Sequence, residues 1–111
     1  MTIRQEKVNS LLKQEVGNYL RAEDFEGISG ILTITDAEVS VDMEHAKVYF
    51  SVVGQDSKEV QAILKNQIYE IQGILNRKLK MWKVPRIEFI PDSSPEYAQH
   101  IREIIKGLQE K

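Results

Sequence analysis

The chain has 111 residues, 41% hydrophobic and 29% charged, with a net charge of −2 at pH 7. This suits a single soluble domain over residues 1–111 with its own core. There is no cysteine, so disulfides and thiolate metal sites are excluded. No apolar run approaches the roughly 20 residues that a membrane helix needs, and M-T-I-R-Q-E-K-V-N-S lacks the apolar core of a signal peptide; a cytoplasmic protein is expected.

Val8, Leu11, Leu12, Val16, Tyr19 and Leu20 recur at helical spacing and predict an amphipathic helix over residues 3–20. Residues 21–30, R-A-E-D-F-E-G-I-S-G, read as a loop. Residues 31–40 are rich in Ile, Thr and Val and predict a strand, with Asp36 and Glu38 marking a bulge or an exposed edge. A second strand covers residues 46–53, with Ala46, Val48, Phe50 and Val52 on one face. The few residues between the strands force an antiparallel hairpin, because a parallel crossover needs a dozen or more.

A long helix is expected from Ser57 to Trp82, with Val60, Leu64, Ile68, Ile71, Leu75 and Leu79 as its stripe. Gly73 lies inside it and marks either a kink or a close contact. Val84-Pro85 stops the helix, and R-I-E-F-I-P, residues 86–91, predicts a third strand. Ser94 before Pro95 fits the start of a last helix, running to about Leu108 with Ala98, Ile101, Ile105 and Leu108 inward. The order α-β-β-α-β-α predicts an α+β fold, a small three-stranded sheet with helices on one face.

The hairpin turn holds Asp42, Glu44 and His45, three groups able to supply part of a metal site. Aspartate is also a common turn former, and His100 has no H-x-x-x-H partner, so the turn reading is preferred and no metal is expected. No nucleophile motif and no phosphate-cradling glycine loop is present, so no catalytic residue and no cofactor are expected.

The charge distribution is more informative. Residues 15–46 carry eight acids and one base, Arg21, whereas residues 71–87 carry Arg77, Lys78, Lys80, Lys83 and Arg86 and no acid. Cations at a helix end also complement its dipole, but five without an intervening acid favour a phosphate-facing surface. Trp82 among them reads as a core cap rather than a base-stacking platform.

Two stretches resemble the bacterial ribosome-binding factor A family. E-V-S-V-D-M-E-H-A-K-V-Y-F-S-V-V-G, residues 38–54, resembles its signature hairpin through Ser40, Asp42, Ala46, Val48, Tyr49, Ser51 and Gly54. V-P-R-I-E-F-I-P-D-S-S, residues 84–94, resembles its second motif through Val84, Pro85, Phe89, Asp92 and Ser94. In place of the family's D-P-R before the first strand stands A-E-D-F-E-G, and Ile71-Gln72-Gly73 is the nearest counterpart of its A-x-G helix kink.

The resemblance implies a type II KH-like domain that binds the small ribosomal subunit and its 16S ribosomal RNA near the 5′ end. It also implies help in late maturation and processing of that RNA without catalysis, and a link to cold adaptation. The RNA-binding residues expected are Arg77, Lys78, Lys80, Lys83, Arg86 and Lys47, with Gly73 at the kink. Ser40, Asp42, Asp92 and Ser94 are expected to shape turns and caps, and the protein to act as a monomer. The competing reading is a protein–protein module using the acidic residues 23–44, with no direct RNA contact.

Overall fold

A computed structural model describes residues 2–81 and 83–92 together with Lys106. Over these residues the order is α1 (Ile3–Ala22), β1 (Ile31–Val39), β2 (His45–Val53), α2 (Ser57–Asn66), α3 (Ile68–Lys78) and β3 (Arg86–Pro91). Trp82 and the helix expected after Ser94 lie outside the described residues, apart from Lys106, which is helical.

The first helix starts on a capping box. The Gln5 backbone N–H donates to Thr2 Oγ1 at 3.1 Å, and the Thr2 N–H donates to Gln5 Oε1 at 2.9 Å, so two donors at the helix start are satisfied reciprocally. Val8, Leu12, Val16 and Leu20 fall four residues apart and are buried, whereas Leu11, expected on the same face, is exposed.

The sheet has the order β1-β2-β3, with β1 and β2 antiparallel and β2 and β3 parallel. The parallel pair requires a crossover, and α2 with α3 supplies it. Ala46, Val48 and Phe50 of β2 and Ile87 and Phe89 of β3 are buried against the helices. The Phe50 and Phe89 rings meet edge-on at 6.5 Å, and full burial of such a side chain contributes about 1.5–3 kcal/mol.

On β1 the register shifts between Ile34 and Asp36. This bulge inserts one extra residue, so Ile34 and Ala37 both meet the core while Asp36 and Glu38 stay exposed. The sequence signal there was a true one on both counts.

The loop before β1 is strapped to the end of β2. Gln55 Oε1 accepts from the Ser29 and Gly30 N–H groups at 3.0 and 3.2 Å, and Gln55 Nε2 donates to the Gly27 carbonyl at 2.6 Å. Gly30 is required here, because a Cβ would stand 2.6 Å from the Val53 carbonyl oxygen.

The expected single helix over residues 57–82 is corrected to two. Its break is at Gln67 (φ −96°, ψ 3°), whose N–H is shared among the Ile63, Leu64 and Lys65 carbonyls. Gly73 is therefore no kink; it lies within α3. The helix ends at Lys78 rather than Trp82, and the Leu79 N–H closes the last turn on Leu75 O at 2.9 Å.

Candidate nucleic-acid interface

The hairpin tip is a closed network. The Ser40 N–H donates to His45 O at 2.8 Å and the Met43 N–H donates to Ser40 O at 2.9 Å. Asp42 Oδ1 accepts from Ser40 Oγ at 2.6 Å and from the Glu44 N–H at 3.0 Å, and the His45 N–H donates to Ser40 Oγ at 3.1 Å. These bonds hold Met43 in the left-handed region at φ 64°, where a non-glycine residue needs such support. The Ser40 hydroxyl and the Glu44 N–H hold the Asp42 carboxyl below the usual carboxylate range.

No group of three or more His, Asp or Glu residues is placed to hold a metal among the described residues. Ser40 and Asp42 each have a local hydrogen-bonding role in the turn. Asp92 is hydrogen-bonded as well: its N–H donates to Phe50 O at 2.7 Å, and its carboxylate accepts from the hydroxyl of the bulge residue Thr35. Ser94 lies outside the described residues.

The six cations expected at an interface fall into three neighbourhoods. Lys80 and Lys83 line a hollow of about 500 Å³ at the hairpin tip, together with Asp42, Met43 and Arg4 of α1. Lys47 and Arg86 lie on the sheet face turned away from the helices, where Glu38, His45 and Glu88 join them around a hollow of about 330 Å³. Arg77 and Lys78 line a third hollow between α3 and the end of α1, beside Tyr19 and Glu23. Partial burial pushes the Tyr19 hydroxyl up, and Glu23 and Glu70 add to the shift.

All six are exposed, and only Lys83 makes an ion pair among the described residues, with Glu44 at 3.1 Å. The acidic residues are dispersed as well. Glu23, Asp24 and Glu26 precede β1, whereas Asp42 and Glu44 follow it. A nine-residue strand, which itself carries exposed Asp36 and Glu38, separates the two groups, about 30 Å of chain. Asp42 and Glu44 are already engaged, at the turn and with Lys83.

A further groove of about 570 Å³ runs between α2 and β3. Ile68, Ile87 and Phe89 give it an apolar floor, and Lys58 and Lys65 line its α2 side. Beside it the free edge of β3 is covered by two glutamines. Gln61 Nε2 donates to Phe89 O at 3.0 Å; Gln72 Nε2 donates to Pro85 O at 3.0 Å, and Gln72 Oε1 accepts from the Ile87 N–H at 3.0 Å. Lys58 and Lys65 stand apart from the contiguous run of cations and carry no signal of that kind. Their signal is a seven-residue spacing, two helical turns, which puts both on one face.

The chain turns at Gln67, between α2 and α3, and not at Ile71-Gln72-Gly73, which lies within α3. Tyr69, directly after the break, is 90% exposed.

Residues 4–105 match the family described as Ribosome-binding factor A. The Ribosome-binding factor A of Chlorobium phaeobacteroides is 36% identical, with 100% of this chain and 98% of the relative covered. The fold is similar to the crystal structure of ribosome-binding factor A from Thermus thermophilus, with a TM-score of 0.73 and 22% identity over 82% of this chain and 99% of that one. It is also similar to Thermus thermophilus coordinates fitted into a cryo-EM map of a 30S–ribosome-binding factor A complex. There the TM-score is 0.63, with 22% identity over 74% of this chain and 88% of the other.

Proposed function

This chain belongs to the ribosome-binding factor A family, and from that premise we propose that it binds the small ribosomal subunit and its 16S ribosomal RNA near the 5′ end, assisting late maturation and processing of that RNA without catalysis. The Thermus thermophilus relative fitted into a map of a 30S complex supports the choice of partner. The observation that carries the reading is the set of exposed cations: Arg77, Lys78, Lys80, Arg86 and Lys47 make no ion pair among the described residues, although Lys47 stands across from Glu38 and Glu88 in the sheet. An ammonium or guanidinium left open in this way releases counterions from a phosphate backbone when it docks.

Recognition on this reading is by shape and backbone charge, the mode open to a protein facing folded RNA. Lys80, Lys83 and Arg4 would meet phosphate at the hairpin tip, Arg77 and Lys78 beside α1, and Lys47 with Arg86 on the outer sheet face. Lys58 and Lys65 extend the surface along α2. The protein would act as a cytoplasmic monomer, with its value greatest in the cold, where misfolded RNA helices are harder to resolve.

The test is co-sedimentation of the purified protein with mature and precursor small subunits across a salt series. Salt-sensitive binding that favours the precursor is the expected result. No binding to either particle at low salt would overturn the proposal.

A further inference from the structure

Gly73 has no internal reason to be glycine. It lies within α3, and a Cβ placed there would meet only the tip of the Arg77 side chain, at 3.6 Å. The fold thus accepts a larger residue at this point and yet carries the helix-weakening one. One turn before it stands Tyr69, 90% exposed; one turn after it stands Arg77, exposed and without an ion pair among the described residues. Residues four apart share a helix face, so Tyr69, Gly73 and Arg77 form one strip about 12 Å long, an aromatic ring, a bare stretch of backbone and a guanidinium.

We infer that this strip of α3 docks an unpaired stretch of RNA, with a base stacked on Tyr69, the sugar–phosphate chain passing close over Gly73 and a phosphate held by Arg77. The inference rests on the RNA-binding reading and extends it from Arg77 along α3 to Gly73 and Tyr69. Base stacking needs a single ring face and tolerates any base. A stable protein–protein interface buries roughly 800 Å² on each partner, far more than one exposed ring and its neighbours on a single helix strip offer. Tyr69 is the only large exposed hydrophobic residue on α3, the others among the described residues being Ile3, Leu11, Ile31 and Val41. Lys65, four residues before Tyr69 in sequence but across the helix break on α2, is exposed. Glu70, the one acid in α3, is close enough to Tyr19 to shift its hydroxyl and stands two turns before Arg77 on the side of α3 toward α1, which Arg77 shares.

The test compares the chain with its Tyr69→Phe, Tyr69→Leu and Gly73→Ala variants, measuring affinity for purified small subunits and for protein-free small-subunit ribosomal RNA. Tyr69→Leu should weaken both by about tenfold or more, the loss of one stacked base, while Tyr69→Phe binds as the parent does. Gly73→Ala should raise the melting temperature and weaken binding, a combination that a structural role does not produce. If the parent binds subunits and Tyr69→Leu and Gly73→Ala bind equally well, the strip is not a contact and this inference falls alone. Loss confined to whole subunits means that the strip meets a ribosomal protein, which overturns the RNA occupant. Failure of the parent chain to bind subunits removes the functional reading itself.

Discussion

The turn at residues 40–45 and the segment at residues 77–86 are both short, polar and charged, and they meet at the Lys83–Glu44 pair. In the turn, the Ser40 and Asp42 side chains close on the turn itself: they bind the backbone of His45 and Glu44, and each other. In the second segment Arg77, Lys78, Lys80 and Arg86 are exposed and make no ion pair among the described residues. Charge that satisfies its own backbone shapes the fold. Charge left in water is available to a partner, and that difference separates scaffold from interface more surely than polarity does.

The comparison breaks most visibly under charge reversal. Lys80→Glu with Lys83→Glu should lower affinity for small subunits at least tenfold, while the melting temperature changes little, because an exposed pair such as Lys83–Glu44 contributes about 0–1 kcal/mol. Binding isotherms beside a thermal melt check both halves. The strap on β3 should behave in the opposite way. Gln72→Leu leaves the Ile87 N–H and the Pro85 carbonyl without their partner and should cost about 1–3 kcal/mol in urea unfolding, with subunit binding of the still-folded protein unchanged.

Within the turn, Ser40→Ala removes the acceptor of the His45 N–H and the donor to Asp42. A loss of about 1 kcal/mol is expected, again without effect on binding. The smallest effect is the pH response of Asp42. Its carboxyl is held below the ordinary value, so the stability it contributes is fully present above the unfolded carboxylate pKa. That stability is lost as pH falls through the folded one. Thermal melts from pH 6 downward should show a shallower acid decline for Asp42→Asn than for the parent chain.

Much of this fold was legible in the sequence because its elements have strong periods. The alternation Ala46-Val48-Phe50 and the run R-I-E-F-I-P gave β2 and β3 within a residue, and the polar interruption at Asp36 marked a real bulge. The break between α2 and α3 was not legible. Val60, Leu64, Ile68, Ile71 and Leu75 keep helical spacing across Gln67, so the apolar stripe is continuous while the backbone turns. Periodicity reports which face is buried; it is blind to a single residue near φ −96° and ψ 3°. Gly73 drew attention instead because glycine is the usual sign of a bend.

The candidate site was legible in its charges but not in its grouping. Five of its cations are near neighbours in sequence, yet the fold distributes them over the hairpin tip, the α1–α3 groove and the outer sheet face. It brings Arg4 from the far end of the chain to the hollow lined by Lys80 and Lys83, a placement that depends on how α1 lies against the sheet and that no local pattern encodes.

The most direct test of the central claim, that the exposed cations meet phosphate, is the salt dependence of small-subunit binding for the parent chain and for Lys80→Gln with Lys83→Gln. Plotted as the logarithm of affinity against the logarithm of salt, the slope should become shallower by roughly 1.4 to 1.8 when two phosphate contacts are removed. An unchanged slope would mean that Lys80 and Lys83 face solvent in the complex and would contradict the account.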